Sequence, residues 1–144
     1  MSKWANGTYE ITNPGKYAGN KKPHYRSSWE FAFMQFCDNH PSVINWASES
    51  IQIPYRNPLT GKQSVYVPDF FILYVDKRGK KHAELIEIKP SSQTRLTEKT
   101  SQRDKLSIAV NTAKWEAAAK WCRLKNIQFR IVNEGDIFHS GRRR

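Results

Sequence analysis

Two carboxylates stand out in this sequence because each lies inside an otherwise apolar run. Asp69 is followed by two phenylalanines, and Glu87 lies between two isoleucines, two residues before Lys89. A carboxylate in such surroundings must be paired, bind a metal or lie on an open sheet face, because burying an unpaired charge is costly. Side chains alternate along a strand, so Glu87 and Lys89 would share one face. The residues therefore predict either a divalent-cation site or an ion-paired cluster around Lys89.

A β-hairpin would bring the two carboxylates together. Segments 65–75 and 82–89 have the composition of strands, and the residues between them favour a turn. If the turn centres near its Arg-Gly pair, Asp69 lies opposite Glu87 or Ile88, with Cβ atoms about 5 Å apart. Carboxylates at that separation repel each other unless a cation or a shared proton lies between them.

A third carboxylate, Glu30, lies at the start of a predicted helix over about residues 28–39, where aromatic residues recur at helical spacing. Ser27 and Glu30 fit a capping box, in which both side chains bond to amides at the helix start. A capping role and a role at the cation site are both open. A carboxylate folded back on its own helix end would reach a metal poorly.

The remaining segments complete one α/β or α+β domain with a sheet and flanking helices. We predict an edge strand over 51–55, because it contains a proline, and a turn at 57–61. A long helix over about 98–125 and a strand over 127–132 follow. The predicted organisation is an irregular basic arm (residues 1–25), a single domain (26–138) and a basic tail (139–144).

Charge and composition narrow the classes of partner. The chain has 144 residues, with 24 Lys and Arg against 13 Asp and Glu and a net charge of +11. Such an excess favours a polyanion, because each neutralised phosphate releases counterions. We expect no membrane span and no secretion signal. Cys37 and Cys122 are far apart with no nearby ligand spacing, which predicts buried free thiols and no zinc site.

Pro68-Asp69 followed by Glu87-Ile88-Lys89 resembles the signature of the PD-(D/E)XK nucleases. The runs at 25–30 (YRSSWE), 67–70 (VPDF) and 87–90 (EIKP) are more closely similar to the head completion nucleases of T-even-type tailed phages. A more distant likeness is to the TnsA-like transposon-end endonucleases. The resemblance covers about residues 24–132. It implies a restriction-endonuclease-like core, with a mixed central β-sheet flanked by helices, and cleavage of DNA phosphodiester bonds.

The resemblance also implies roles for particular residues. Asp69 and Glu87 would bind a divalent metal, together with the carbonyl of Ile88. Lys89 would orient or activate the attacking water, and Glu30 would complete or adjust the metal site. Oxygen ligands favour Mg²⁺ or Mn²⁺ as the cofactor. One-metal and two-metal mechanisms are equally compatible with these residues.

DNA is the expected partner, and capsid, portal or other head completion proteins are further candidates, in the host cytoplasm or the virion. Gln102 and Lys105 match an auxiliary polar position of the superfamily, although a solvated helix face explains them equally well. The candidate DNA-binding residues are Lys21, Lys22, Arg26, Gln102, Lys105, Arg142, Arg143 and Arg144. A non-catalytic virion protein that binds DNA ends is the main alternative, and an RNA-binding module is a weaker one.

Overall fold

A computed structural model describes residues 6–89 and 101–133 of the chain. The strands are β1 (Gly7–Thr8), β2 (His24–Tyr25), β3 (Val43–Ser48), β4 (Ile53–Arg56), β5 (Gln63–Tyr66), β6 (Phe70–Val75), β7 (Lys81–Ile88) and β8 (Gln128–Val132). The helices are α1 (Ser28–Asn39) and α2 (Gln102–Leu124), and a short 3-10 helix spans Pro14–Lys16.

Four strands form the central sheet, in the order β3-β6-β7-β8. β6 is antiparallel to both β3 and β7, whereas β8 is parallel to β7. A parallel neighbour requires a long crossover, and α2 provides it between β7 and β8. The predicted mixed sheet with flanking helices is confirmed.

Each face of the sheet packs against a different helix. The core on the α1 face contains Met34, Cys37, Trp46, Phe70, Ile72, Ile86 and Ile88. The core on the α2 face contains Ile53, Tyr55, Tyr66, Leu85, Ala118 and Cys122, so the β4–β5 hairpin covers this face together with α2. Both cysteines are free and buried, as predicted.

Most of the segments predicted to be helices or strands form the predicted secondary structure. Helix α1 spans 28–39 as expected, and Ser27 caps it by accepting a hydrogen bond from the Glu30 amide at 3.1 Å. Helix α2 begins at Gln102, and the predicted residues 98–100 lie outside the described residues. No helix in the described ranges is long and apolar enough to cross a membrane.

The strand-like run predicted over 65–75, with Pro68 as its only interruption, is divided there into two strands, β5 and β6. Pro68 lies between them and has no amide hydrogen to continue a ladder. β5 pairs only with β4, in a separate two-stranded sheet, and this agrees with the edge position predicted from Pro54. The sequence reasoning also missed β3, which occupies one edge of the central sheet.

The arm predicted to be irregular has more structure than its composition indicated. β1 pairs with β2, and Tyr9 is buried in the core on the α1 face. Asp38 of α1 accepts hydrogen bonds from the backbone amides of Thr12 and Asn13 at 2.8 and 2.9 Å. The described part of the arm is therefore bonded to α1, while the proposed domain boundaries stay predictions. The basic tail lies outside the described residues.

Candidate active site

Asp69 follows the proline that separates β5 from β6, and its carboxylate faces β7. Phe70 pairs with Ile86, so the same antiparallel register places Asp69 opposite Glu87. The Asp69 Oδ2 atom accepts a hydrogen bond from the Ile88 amide at 2.8 Å. The hairpin register predicted from the turn is confirmed.

Glu87 projects from β7 on the α2 face of the sheet and is 6% exposed. Its Oε1 atom accepts a hydrogen bond from the Tyr66 hydroxyl at 2.7 Å, so a residue of the β4–β5 hairpin fixes the position of one Glu87 oxygen. Its Oε2 atom lies 3.7 Å from the Lys89 ammonium. The sheet thus places two acids and one lysine side by side, as the alternation of strand side chains predicted.

The carboxylates of Asp69 and Glu87 repel each other, and both are largely buried from water. Burial raises the pKa of Asp69 well above its usual value, and the charges of Glu87 and Glu30 raise this pKa further. Burial also raises the pKa of Glu87, while the Tyr66 hydrogen bond and the Lys89 charge oppose the shift. A divalent cation between the carboxylates would favour their ionised forms.

Glu30 combines a capping contact with proximity to the site. Its Oε1 atom accepts a hydrogen bond from the Arg26 amide at 3.3 Å. In an ideal capping box this bond would come from the amide of the next residue, Ser27. Burial raises the pKa of Glu30, and the charge of Glu87 contributes to the rise. The capping contact is therefore present, and whether it excludes a role at the cation site stays a prediction. Participation of Glu30 in metal binding stays a prediction.

The sequence reasoning missed Glu49, which directly follows β3. Its backbone lies in the left-handed region with a φ of 48°, and its amide donates to the Asp69 carbonyl oxygen at 2.9 Å. Its side chain forms an ion pair of 2.9 Å with Arg26. The pair raises the pKa of Arg26, and the charges of Glu30 and Asp69 contribute to that rise. No sequence pattern marked Glu49, because β3 itself was not predicted.

Lys114 of α2 is the second residue that the sequence reasoning missed. Its ammonium lies 5.9 and 5.7 Å from the ring centroids of Tyr55 and Tyr66, and its charge lowers the pKa of Glu87. The two α2 residues predicted instead, Gln102 and Lys105, are exposed at the start of the helix. At 1.5 Å per residue they lie about 18 and 14 Å from Lys114 along the helix axis.

The other candidate DNA-binding residues are in the N-terminal arm and the tail. Lys21 and Lys22 are exposed just before β2, and the Lys21 carbonyl accepts a hydrogen bond from the Tyr17 hydroxyl. Arg26 lies at the site through its contact with Glu49. Arg142, Arg143 and Arg144 lie outside the described residues.

The donor atoms at the site suit a hard divalent cation. Within residues 6–89 and 101–133, no three His, Cys, Asp or Glu side chains are grouped closely enough to hold a metal by themselves. Asp69 and Glu87 offer oxygen ligands, and a backbone carbonyl such as that of Ile88 would add another. Mg²⁺ is commonly held by one or two carboxylates with water and substrate phosphates, so this donor set fits it.

Comparison with known proteins agrees with the geometry of the site. Residues 40–134 match the family model for the N-terminal domain of TnsA-like endonucleases. The chain is also 32% identical over 139 residues to the head completion nuclease of Enterobacteria phage T4, covering 91% of this chain and 92% of that protein. The chain therefore belongs to the family of TnsA-like endonucleases.

Proposed function

We propose that this endonuclease is a metal-dependent enzyme that hydrolyses DNA phosphodiester bonds during the completion of phage heads. The observation that carries the proposal is the pair of facing carboxylates, Asp69 and Glu87, with Lys89 3.7 Å from the second. The name of the similar T4 protein supports the biological setting. Contacts with capsid or portal proteins, and a place in the host cytoplasm or the virion, are part of the same proposal.

In this proposal Asp69 and Glu87 hold Mg²⁺ or Mn²⁺, with the Ile88 carbonyl as a further ligand. Glu30 adjusts the site through its charge, which raises the pKa of Asp69. The metal would polarise the scissile phosphate and lower the pKa of a bound water. Asp69 is held in place by the Ile88 amide, and Glu87 by the Tyr66 hydroxyl. Both carboxylates are therefore oriented before a ligand binds, which favours catalysis.

Lys89 has two roles in the proposed mechanism. Its ammonium orients the attacking water and offsets the negative charge that develops on the phosphate. Together with Lys114, it also lowers the pKa of Glu87, against the effect of burial. The two lysines therefore favour the ionised carboxylate that binds a cation. The net charge of +11 attracts DNA to this surface.

Plasmid cleavage tests the proposal. The purified protein with Mg²⁺ or Mn²⁺ should nick supercoiled DNA, and EDTA should stop the reaction. Asp69→Asn and Lys89→Ala should each lower the rate by about 100-fold or more, since each removes a charge that acts in the transition state. Glu10→Gln, an exposed change in the N-terminal arm, is the control and should cleave at the wild-type rate.

The outcomes separate the enzyme from its alternative. Unchanged cleavage by the Asp69 and Lys89 variants would contradict the assigned site. Binding of DNA ends without cleavage, under any divalent metal, would instead support a structural virion protein that keeps the nuclease fold.

A further inference from the structure

A basic groove runs between the tip of the β4–β5 hairpin and one face of α2. Its volume is about 340 Å³, and its lining includes Leu59 from the hairpin and Arg103, Leu106, Asn111 and Lys114 from the helix. The helix residues in the lining, which also include Ser107 and Val110, recur at intervals of three or four positions and therefore lie along one side of α2. The groove is a continuous surface formed by two separate elements.

One end of this groove reaches the candidate active site. Lys114 lies against Tyr66, whose hydroxyl donates to Glu87. Arg103 lies eleven residues earlier in the same helix, about 16 Å along the axis. The groove therefore leads from the carboxylates towards the start of α2, with a cation near each end.

The lining chemistry matches a sugar–phosphate chain. Among the residues that the structure describes, the lining contains two cations and two small polar side chains, Ser107 and Asn111, and no acidic residue. Leu59 is 51% exposed and Leu106 is 43% exposed, so both leave apolar surface open to a ligand. Cations bind phosphates, and side chains of DNA-binding proteins also contact the sugars and make apolar contacts to bases, so the combination of cations and exposed leucines favours a nucleic-acid strand.

We propose that the groove binds the DNA strand next to the phosphate that is cleaved, an inference that rests on the proposed function. Arg103 and Lys114 contact two phosphates of that strand, and Leu59 and Leu106 pack against its sugars. The groove sets the direction of the strand across the carboxylates. Arg103 is a positioning residue and takes no part in the hydrolysis itself.

Binding of a fluorescently labelled DNA duplex in EDTA, followed by anisotropy over a series of salt concentrations, tests Arg103. Arg103→Ala should weaken binding by roughly threefold to tenfold and lower the slope of log K against log salt by about one, because one phosphate contact is lost. Arg123→Ala is the matched control, since Arg123 is exposed at the other end of the same helix. Its binding and salt slope should equal those of the wild type.

A second pair of variants tests the hairpin tip. Leu59→Asp places a negative charge in the groove and should weaken DNA binding by about tenfold, by repulsion of phosphate. Val65→Asp makes the same change at a residue that is 58% exposed elsewhere on the hairpin, and it should change binding less than twofold. In cleavage assays Leu59→Asp should raise KM while kcat stays near the wild-type value.

The results distinguish this proposal from the proposed function. Binding in EDTA requires no metal and no hydrolysis, so weaker binding by Arg103→Ala and Leu59→Asp supports the groove even if the wild type cleaves nothing. Equal binding by all four variants and an active wild type would overturn the groove and leave the nuclease assignment intact. A wild-type protein that binds no DNA would overturn the groove as well.

Discussion

Tyr66 donates a hydrogen bond of 2.7 Å to Glu87, and this contact joins the β4–β5 hairpin to the strand that carries the candidate site. The two residues belong to different sheets and are 21 positions apart in the chain. The hairpin therefore takes part in the site as well as covering the core on the α2 face. Removing this single hydroxyl tests how much the hairpin lowers the pKa of Glu87.

Tyr66→Phe should shift the acid limb of the pH–rate profile to higher pH. The hydrogen bond lowers the pKa of Glu87, so its loss keeps Glu87 protonated to a higher pH and weakens metal binding. Cleavage rates measured from pH 5 to 9 check the shift. Tyr74→Phe is the control, because the Tyr74 hydroxyl donates to Glu84 on the other face of the sheet at 2.8 Å. An unchanged profile in Tyr66→Phe would contradict this role.

Divalent metal should stabilise the wild-type protein most strongly at neutral pH. Asp69 and Glu87 have raised pKa values, so the stability that their protonated forms contribute is present below pH 4 and is lost as pH rises through the raised values. Bound Mn²⁺ should reverse this loss and raise the melting temperature at pH 7 by several degrees. Thermal unfolding with and without MnCl₂, at pH 5 and pH 7, measures both effects.

Asp69→Asn should show separately how the repulsion between Asp69 and Glu87 and the binding of a metal affect the melting temperature. The amide oxygen still accepts the hydrogen bond from Ile88, while the charge that repels Glu87 is gone. We expect the metal-free variant to melt a few degrees above the wild type at pH 7 and to respond little to Mn²⁺. Glu10→Gln, at an exposed residue of the N-terminal arm, should respond to Mn²⁺ as the wild type does. An Asp69→Asn protein with the full Mn²⁺ response would show that the cation binds elsewhere.

Glu30→Gln should distinguish the charge of Glu30 from its capping contact. Glutamine keeps an oxygen that accepts from the Arg26 amide, so the free energy of unfolding should change by less than about 0.5 kcal/mol. If Glu30 acts at the site, cleavage should fall by about tenfold or more. Ser27→Ala removes the other half of the cap and should cost about 1 kcal/mol of stability with normal cleavage. Normal cleavage by Glu30→Gln would leave Glu30 with a capping role alone.

Asp38→Asn should weaken the attachment of the N-terminal arm. Burial would raise the pKa of Asp38, yet hydrogen bonds from Thr12, Tyr9 and Asn13 lower it. Its contribution to stability is therefore present above pH 4 and is lost as pH falls through the lowered pKa. We expect the variant to be about 2–3 kcal/mol less stable at pH 7 by urea unfolding. Glu10→Gln, an exposed change in the same arm, should unfold like the wild type.

Short-range patterns explain what could be predicted from the sequence. The alternation of side chains and the turn at 76–80 were sufficient to predict the pairing register of β6 and β7, which brings Asp69 opposite Glu87. The spacing of aromatic residues in α1 was sufficient to predict the full length of that helix. These features depend on neighbours within one hairpin or one helix.

Long-range packing explains what could not be predicted. Lys114 reaches the site only because α2 crosses the sheet and packs beside the β4–β5 hairpin. Its helix contains two other lysines, Lys105 and Lys120, and no local pattern distinguishes the three. Glu49 reaches Asp69 from the end of a strand that no pattern marked. The division of 65–75 into two strands depends on which sheet each half joins.

The parallel pairing of β7 with β8 has a consequence for synthesis of the protein on the ribosome. Glu87 pairs with Ile131, and the Lys89 amide donates to the Val132 carbonyl oxygen at 3.0 Å. Until residues 128–132 have been translated, β7 has no partner on that side and its amides and carbonyls are exposed as a sheet edge. The pairing of β7 is therefore complete only after the 23-residue helix α2 has been made, so a shorter nascent chain lacks the finished candidate site.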